Sequence, residues 1–363
     1  PGGRRTTARP RGAASISAMA WANLWRNKKR TVTVICSLTL GLVLLSCFYA
    51  RNAAFDMNKY LADLTIADFT LSDATSGDYH GYDPHGGTLN DALVSRLERA
   101  EGLEATGKQY SAQMDWRMDE RTLQNVAAFY TEDKLTDWET YDPAGAQAMR
   151  EALSTGEASA VIYGLEGIPL DTITQEEYLL SGSYDPEAFA TGRYVLAVGP
   201  SIDLSENYPV LPVPDAGSTV ELNGRSYTVM AVVYPLAPVT QLASQQGMEG
   251  KFELSFILPA EVFREQWPDH TLRQLFLNVA DDQIDAVQAF LDEYVETTDA
   301  GLPVTSRRSM AQQYEAETRS SAVMGNAVSV VIALVGVLNF VNSMVTAIVS
   351  RKREFAVIQS VGM

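Results

Sequence analysis

Histidine and cysteine are scarce in this 363-residue chain, which has three of the first and two of the second. Both cysteines, Cys36 and Cys47, fall inside one uncharged run, so the long middle of the chain holds neither a disulfide nor a thiol nucleophile. With only His80, His85 and His270 as imidazoles, a nucleophilic triad is hard to assemble. A phosphate-cradling G-x-x-x-x-G-K-[ST] loop and a G-x-S-x-G elbow are both missing, so the chain should not hydrolyse nucleotides by itself. Carboxylates abound, but their number picks out no acid–base pair. The one local cluster of metal-ligating types is Asp78-Tyr79-His80-Gly81-Tyr82-Asp83-Pro84-His85. Its Gly and Pro make it a loop without fixed ligand spacing, and it reads as a solvated loop. The expectation is a non-catalytic chain with no metal and no cofactor.

Negative charge is also missing, but only from the ends. Residues 1–51 carry nine Lys/Arg and no Asp/Glu, and residues 321–363 carry three Lys/Arg and one Glu. Taken from the totals of 28 basic and 45 acidic residues, these leave 16 basic and 44 acidic residues in 52–320, a net charge of -28. Such a middle repels phosphate backbones and excludes nucleic acid as its partner. Acidic surface also keeps an exposed domain soluble, which is its simplest reading, and a cationic ligand is the alternative.

Long uncharged runs stand at both ends. Thr31 to Ala50 gives twenty residues without a charge, about 30 Å as a helix, the thickness of a hydrocarbon core. Met324 to Val349 is a second such run, longer than a bilayer requires. Arg26, Lys28, Lys29 and Arg30 precede the first run, and Arg351, Lys352 and Arg353 follow the second. Positive residues stay inside, so both ends are expected in the cytoplasm and the middle outside, in a cell-membrane protein. Small residues line one face of each run: Thr33, Ser37 and Gly41 in the first, Gly336, Asn339, Ser343 and Thr346 in the second. Such faces let helices pack closely in lipid.

The expected division is therefore a basic cytoplasmic linker at 1–17, an interfacial helix at 18–30 and a membrane helix at 31–50. An extracytoplasmic α+β domain at 51–323, a second membrane helix at 324–349 and a cytoplasmic segment at 350–363 follow. Met19, Trp21, Leu24 and Trp25 form the apolar face of the interfacial helix. Within the middle, Leu64 to Leu71 alternates like a strand, and Leu89, Leu93 and Leu97 have helical spacing. Ser218 to Val233 reads as a hairpin turning at Asn223-Gly224. Phe252 to Leu258 and Leu275 to Val279 read as strands, and Asp282 to Val295 as a helix burying Ile284, Val287, Phe290 and Leu291.

The order of these parts, with AMAWANLWRNKKRTVTVI near the start and FVNSMVTAIVSRKREFAVIQSVGM at the end, resembles the FtsX-like permeases of ABC transporters. That family includes MacB-type and bacitracin-exporter-type subunits, and STVELNGRSYTVMAVV looks like the hairpin of its periplasmic core domain. The resemblance implies four membrane helices with a large outer domain between the first two. A chain ending at Met363 then reads as a fragment, in keeping with its lack of an initiator Met. It further implies a separate ATPase subunit as partner, touched by Arg351, Lys352, Arg353, Glu354, Phe355, Val357 and Ile358. Other implied partners are membrane lipid and further transmembrane helices, of the same protein or of a dimer mate. The implied function is export or detoxification of peptides or lipid-like compounds. Signalling to a cell-wall hydrolase, a two-span ligand receptor and a tethered extracellular enzyme remain the alternatives.

Overall fold

A computed structural model of the chain describes residues 28–53, 57–76, 82–203, 208–240 and 251–360. The linker, and all of the interfacial helix before Lys28, lie outside these residues. Two compact units emerge, Met57–Gln312 and a helical one formed from the two ends.

In the helical unit, α1 is Lys28–Ala53, a helix that contains the whole first uncharged run. The second run lies within α11, Arg307–Ser360. Among the described residues, Val323–Asn342 of α11 is long and apolar enough to cross a membrane, with a mean hydropathy of 2.1. Gly41 of α1 is buried against α11, where a methyl group in its place would stand 3.5 Å from the Ala333 backbone and from Ile332 Cγ2. On α11, Gly325, Ser329 and Gly336 are buried, a stripe at helical spacing. Ser329 Oγ donates to the Gly325 carbonyl at 2.9 Å, so no polar group in the stripe needs a partner from outside. Around this contact, large apolar side chains such as Ile35, Leu42, Val331, Leu334 and Leu338 are exposed.

The larger unit is built on one ten-stranded mixed sheet. Helix α2 (Met57–Leu64) leads into β1 (Phe69–Ser72), so the alternation from Leu64 is strand only in its second half. Thr65 closes the helix, its N–H donating to the Leu61 carbonyl, and the chain extends only beyond Asp68. Then come α3 (Asp91–Leu97), β2 (Leu103–Arg117), the helices α4 (Glu120–Phe129), α5 (Glu132–Glu139) and α6 (Pro143–Thr155), and β3 (Glu157–Gly167). Next are α7 (Ile168–Ile173), β4 (Leu179–Gly182), α8 (Pro186–Ala190), β5 (Tyr194–Val198), β6 (Thr219–Leu222) and β7 (Arg225–Val233). The unit ends with β8 (Glu253–Pro259), α9 (Ala260–Gln266), β9 (Gln274–Val279), α10 (Ile284–Thr297) and β10 (Val304–Ser306).

The strands lie in the order β10-β1-β9-β2-β3-β8-β5-β7-β4, with β6 paired to β7. Pairs β3–β8 and β5–β7 are parallel and the rest antiparallel. Asn223 and Gly224 turn the β6–β7 hairpin with φ of 48° and 75°, the positive pair a two-residue turn demands. Strand β3 runs ASAVIYGL without a charge because both its faces are covered. Ile162 points into the core beneath the helices, whereas Val161, Tyr163 and Leu165 join a second core on the other face. Phe263 of α9 sits directly over Gly164, where an added Cβ would stand 2.5 Å from the Phe263 Cβ. Val287 and Leu291 of α10 are buried, with Ile284 and Phe290 packed at their rim.

Candidate functional site

The seven residues implied to touch an ATPase, Arg351 to Ile358, lie in the last turns of α11, which continues to Ser360 without a break. Lys352 and Val357 are exposed there. The side chains of Arg351, Arg353, Glu354, Phe355 and Ile358, and those of Thr33, Ser37, Asn339, Ser343 and Thr346, fall outside the described residues. Of the small-residue faces, the structure therefore brings Gly41 and Gly336 into buried positions.

A second feature was not visible from the sequence: the root of the sheet domain, where its chain begins and ends. Strands β1 and β10 are antiparallel neighbours, with Phe69 opposite Ser306 and Leu71 opposite Val304. Asp68 ties the root together. Its carbonyl accepts from Arg307 N at 2.9 Å, its Oδ2 from Val279 N at 3.1 Å, and its N–H donates to Asn278 Oδ1 at 3.0 Å. Strand β10 passes into α11 with no intervening loop. Ser306 Oγ accepts from Ser309 N at 3.1 Å, while Ser309 Oγ accepts from Ser306 N at 3.3 Å, a reciprocal cap of the first turn. Arg308, one residue into the helix, pairs with Asp285 of α10. This negative partner offsets the cost of two arginines at a helix N-terminus. The S-x-x-S spacing was the only sequence signal of this cap.

Near the opposite ends of β1 and β9, loop 82–90 is held in place by Asp73, which is fully buried. Asp73 accepts from Thr75 N and Oγ1 at 3.0 and 2.8 Å and from Thr88 N at 3.1 Å. Burial alone would raise its pKa, but these donors outweigh it and hold the carboxyl below its ordinary value. Tyr82 donates to the Thr271 carbonyl at 3.0 Å and stacks under Arg273, and burial pushes its hydroxyl up to about 12. Arg273 is itself buried and donates to Ser111 Oγ at 2.8 Å. Further along the sheet, burial raises Glu253 to about 7 against the pull of Arg273.

For a metal, no group of three or more His, Cys, Asp or Glu side chains converges among the described residues. Residues 77–81, which include Asp78 and His80 of the candidate loop, lie outside them. His85 is described, and its ring lies 5.3 Å from that of His270.

No protein-family model and no curated protein matches the chain. Among the solved structures similar to it are the following two. One is the periplasmic region of MacB from Actinobacillus actinomycetemcomitans, 13% identical, covering 69% of this chain and 94% of that one, with a TM-score of 0.37. The other is the extracellular domain of the noncanonic ABC-type transporter YknZ from Gram-positive bacteria. It is 12% identical, covers 61% of this chain and 93% of that one, and has a TM-score of 0.33. Both neighbours are extracytoplasmic regions.

Proposed function

We propose that this chain is the membrane-embedded permease part of an ABC transporter, with α1 and α11 crossing the bilayer and the sheet domain outside. A separate ATPase would dock on Arg351 to Ile358, and its cycle would move the outer domain to export peptides or lipid-like compounds. The observation that carries this reading is the root of the domain. There the first turn of α11 is capped by Ser306 at the end of β10, and β10 is bonded to β1, so the start of that helix and the sheet edge are joined by hydrogen bonds. The exposed apolar side chains around the Gly41 contact support a lipid environment, since water would penalise so large an apolar surface. The charge contrast between the basic segments at both ends and the acidic middle fits the same orientation.

Two experiments test it. After Cys36 and Cys47 are replaced by serine, Glu187→Cys should react with a membrane-impermeant maleimide in intact cells, and Lys352→Cys only after permeabilisation. The reverse pattern would overturn the orientation. In the complex with its ATPase, Glu354→Ala or Phe355→Ala should uncouple ATP hydrolysis from transport with expression unchanged, and intact coupling in both variants would remove the docking assignment.

A further inference from the structure

We propose that His85 and His270 form a binding site for a divalent transition-metal ion, Zn2+ or a chemically similar cation, on the sheet domain. The two residues are far apart in sequence. They meet because loop 82–90 is fastened to the segment before β9: Thr271 N and Oγ1 both donate to the Pro84 carbonyl, at 2.7 and 3.0 Å, and Gly87 N donates to Thr271 Oγ1 at 3.3 Å. Asp83 holds the His85 backbone, its Oδ1 accepting from His85 N at 2.9 Å. His85 therefore stands on a braced loop, and His270 is packed beside Phe263 and Trp267.

The hydrogen bonds of the rings decide which nitrogens are free. His85 Nδ1 lies 3.1 Å from the Asp269 carbonyl, and His270 Nδ1 lies 3.0 Å from the Ser111 carbonyl. A carbonyl only accepts, so each Nδ1 donates, and in the neutral imidazole the lone pair then sits on Nε2. Metal-binding histidines are usually held this way, with the second ring nitrogen donating to a carbonyl or carboxylate. The spacing agrees. With Zn–N bonds of about 2.0–2.1 Å and a tetrahedral angle, two coordinating imidazoles place their ring centres roughly 5 Å apart. The observed separation is 5.3 Å, with the planes at 81°. Imidazole donors favour Zn2+, Ni2+ and Cu2+ over Ca2+ or Mg2+. Two protein ligands leave the remaining positions to water or to a donor group from a bound molecule. His85 is exposed and His270 half-buried, so a cation reaches the pair from solvent. The net charge of -28 summed over residues 52–320 favours cations near the domain as a whole.

The test uses the full chain in detergent, with Zn2+ competing against a chromophoric chelator and Co2+ as a spectroscopic probe. The parent should take up one Zn2+ per chain beyond the weak background of surface carboxylates, and its Co2+ form should show tetrahedral d–d absorption. His85→Gln and His270→Gln should each weaken that ion at least tenfold and abolish the Co2+ band. Since His270→Gln also disturbs packing against Trp267, the exposed His85→Gln is the deciding variant. Unchanged affinity in His85→Gln, or one equivalent of tight Zn2+ retained by the double variant, would overturn the proposal.

Discussion

Glu253 opens β8, in register with Ser159 of the parallel strand β3, and its carboxyl is raised from 4.5 to about 7 by burial. A group that holds its proton more tightly when folded than when unfolded favours the native state while it is protonated. That advantage is present below pH 4.5 and is lost as pH rises through 7, so this one residue makes the protein less stable in the neutral range. A shift of that size corresponds to about 3 kcal/mol, and solvent reaching the partly exposed side chain reduces it to about 2–3 kcal/mol. Glu253→Gln keeps the shape and removes the titration. Urea unfolding followed by tryptophan fluorescence, at pH 5 and pH 8, would compare variant and parent, so that the many other carboxylates cancel. The variant should gain about 1.5–2 kcal/mol on the parent between those pH values, since part of the change lies below pH 5. A difference under about 0.5 kcal/mol would show that Glu253 is charged and solvated in the native protein, and the reasoning would fail.

Substitutions at four positions probe the packing, the hairpin turn and the helix cap. Gly41→Ala should be tolerated, because 3.5 Å is an ordinary contact, whereas Gly41→Leu should push α1 off Ala333 and lower the melting temperature in detergent. Gly224→Ala meets no neighbour within 4 Å, so it should cost only backbone strain, about 1 kcal/mol in urea unfolding. Gly164→Ala drives a methyl into Phe263 and should cost more, about 2–3 kcal/mol by the same measurement. Ser306→Ala removes the cap of α11 and should cost about 1 kcal/mol, with faster amide exchange confined to the first turn of that helix.

What could be read in the sequence was what local chemistry dictates. Asn223-Gly224 forced a hairpin, Leu93 and Leu97 a helix face, and the two uncharged runs two long helices. Strand β2 escaped notice because Gln109 and Ser111 occupy buried positions on it and Arg273 satisfies Ser111 from a distant segment, which blurs the apolar alternation. Strand β3 was hidden by being apolar on both faces, a run that periodicity cannot assign. At Leu64 to Leu71 a short helix and a short strand share one alternating pattern. The root and the histidine pair depend on contacts between remote segments, Phe69 with Ser306 and His85 with His270, which no spacing along the chain encodes.

The pairing of β1 with β10 also bears on how such a chain can change. The domain closes where it opens, its first and last strands a single ladder apart, so everything between Ser72 and Val304 is an insertion into one tight stem. A stem of that kind accepts cargoes of different size. Lengthening, trimming or exchanging the outer sheet alters what it meets outside, while the β1–β10 pairing at the stem stays the same.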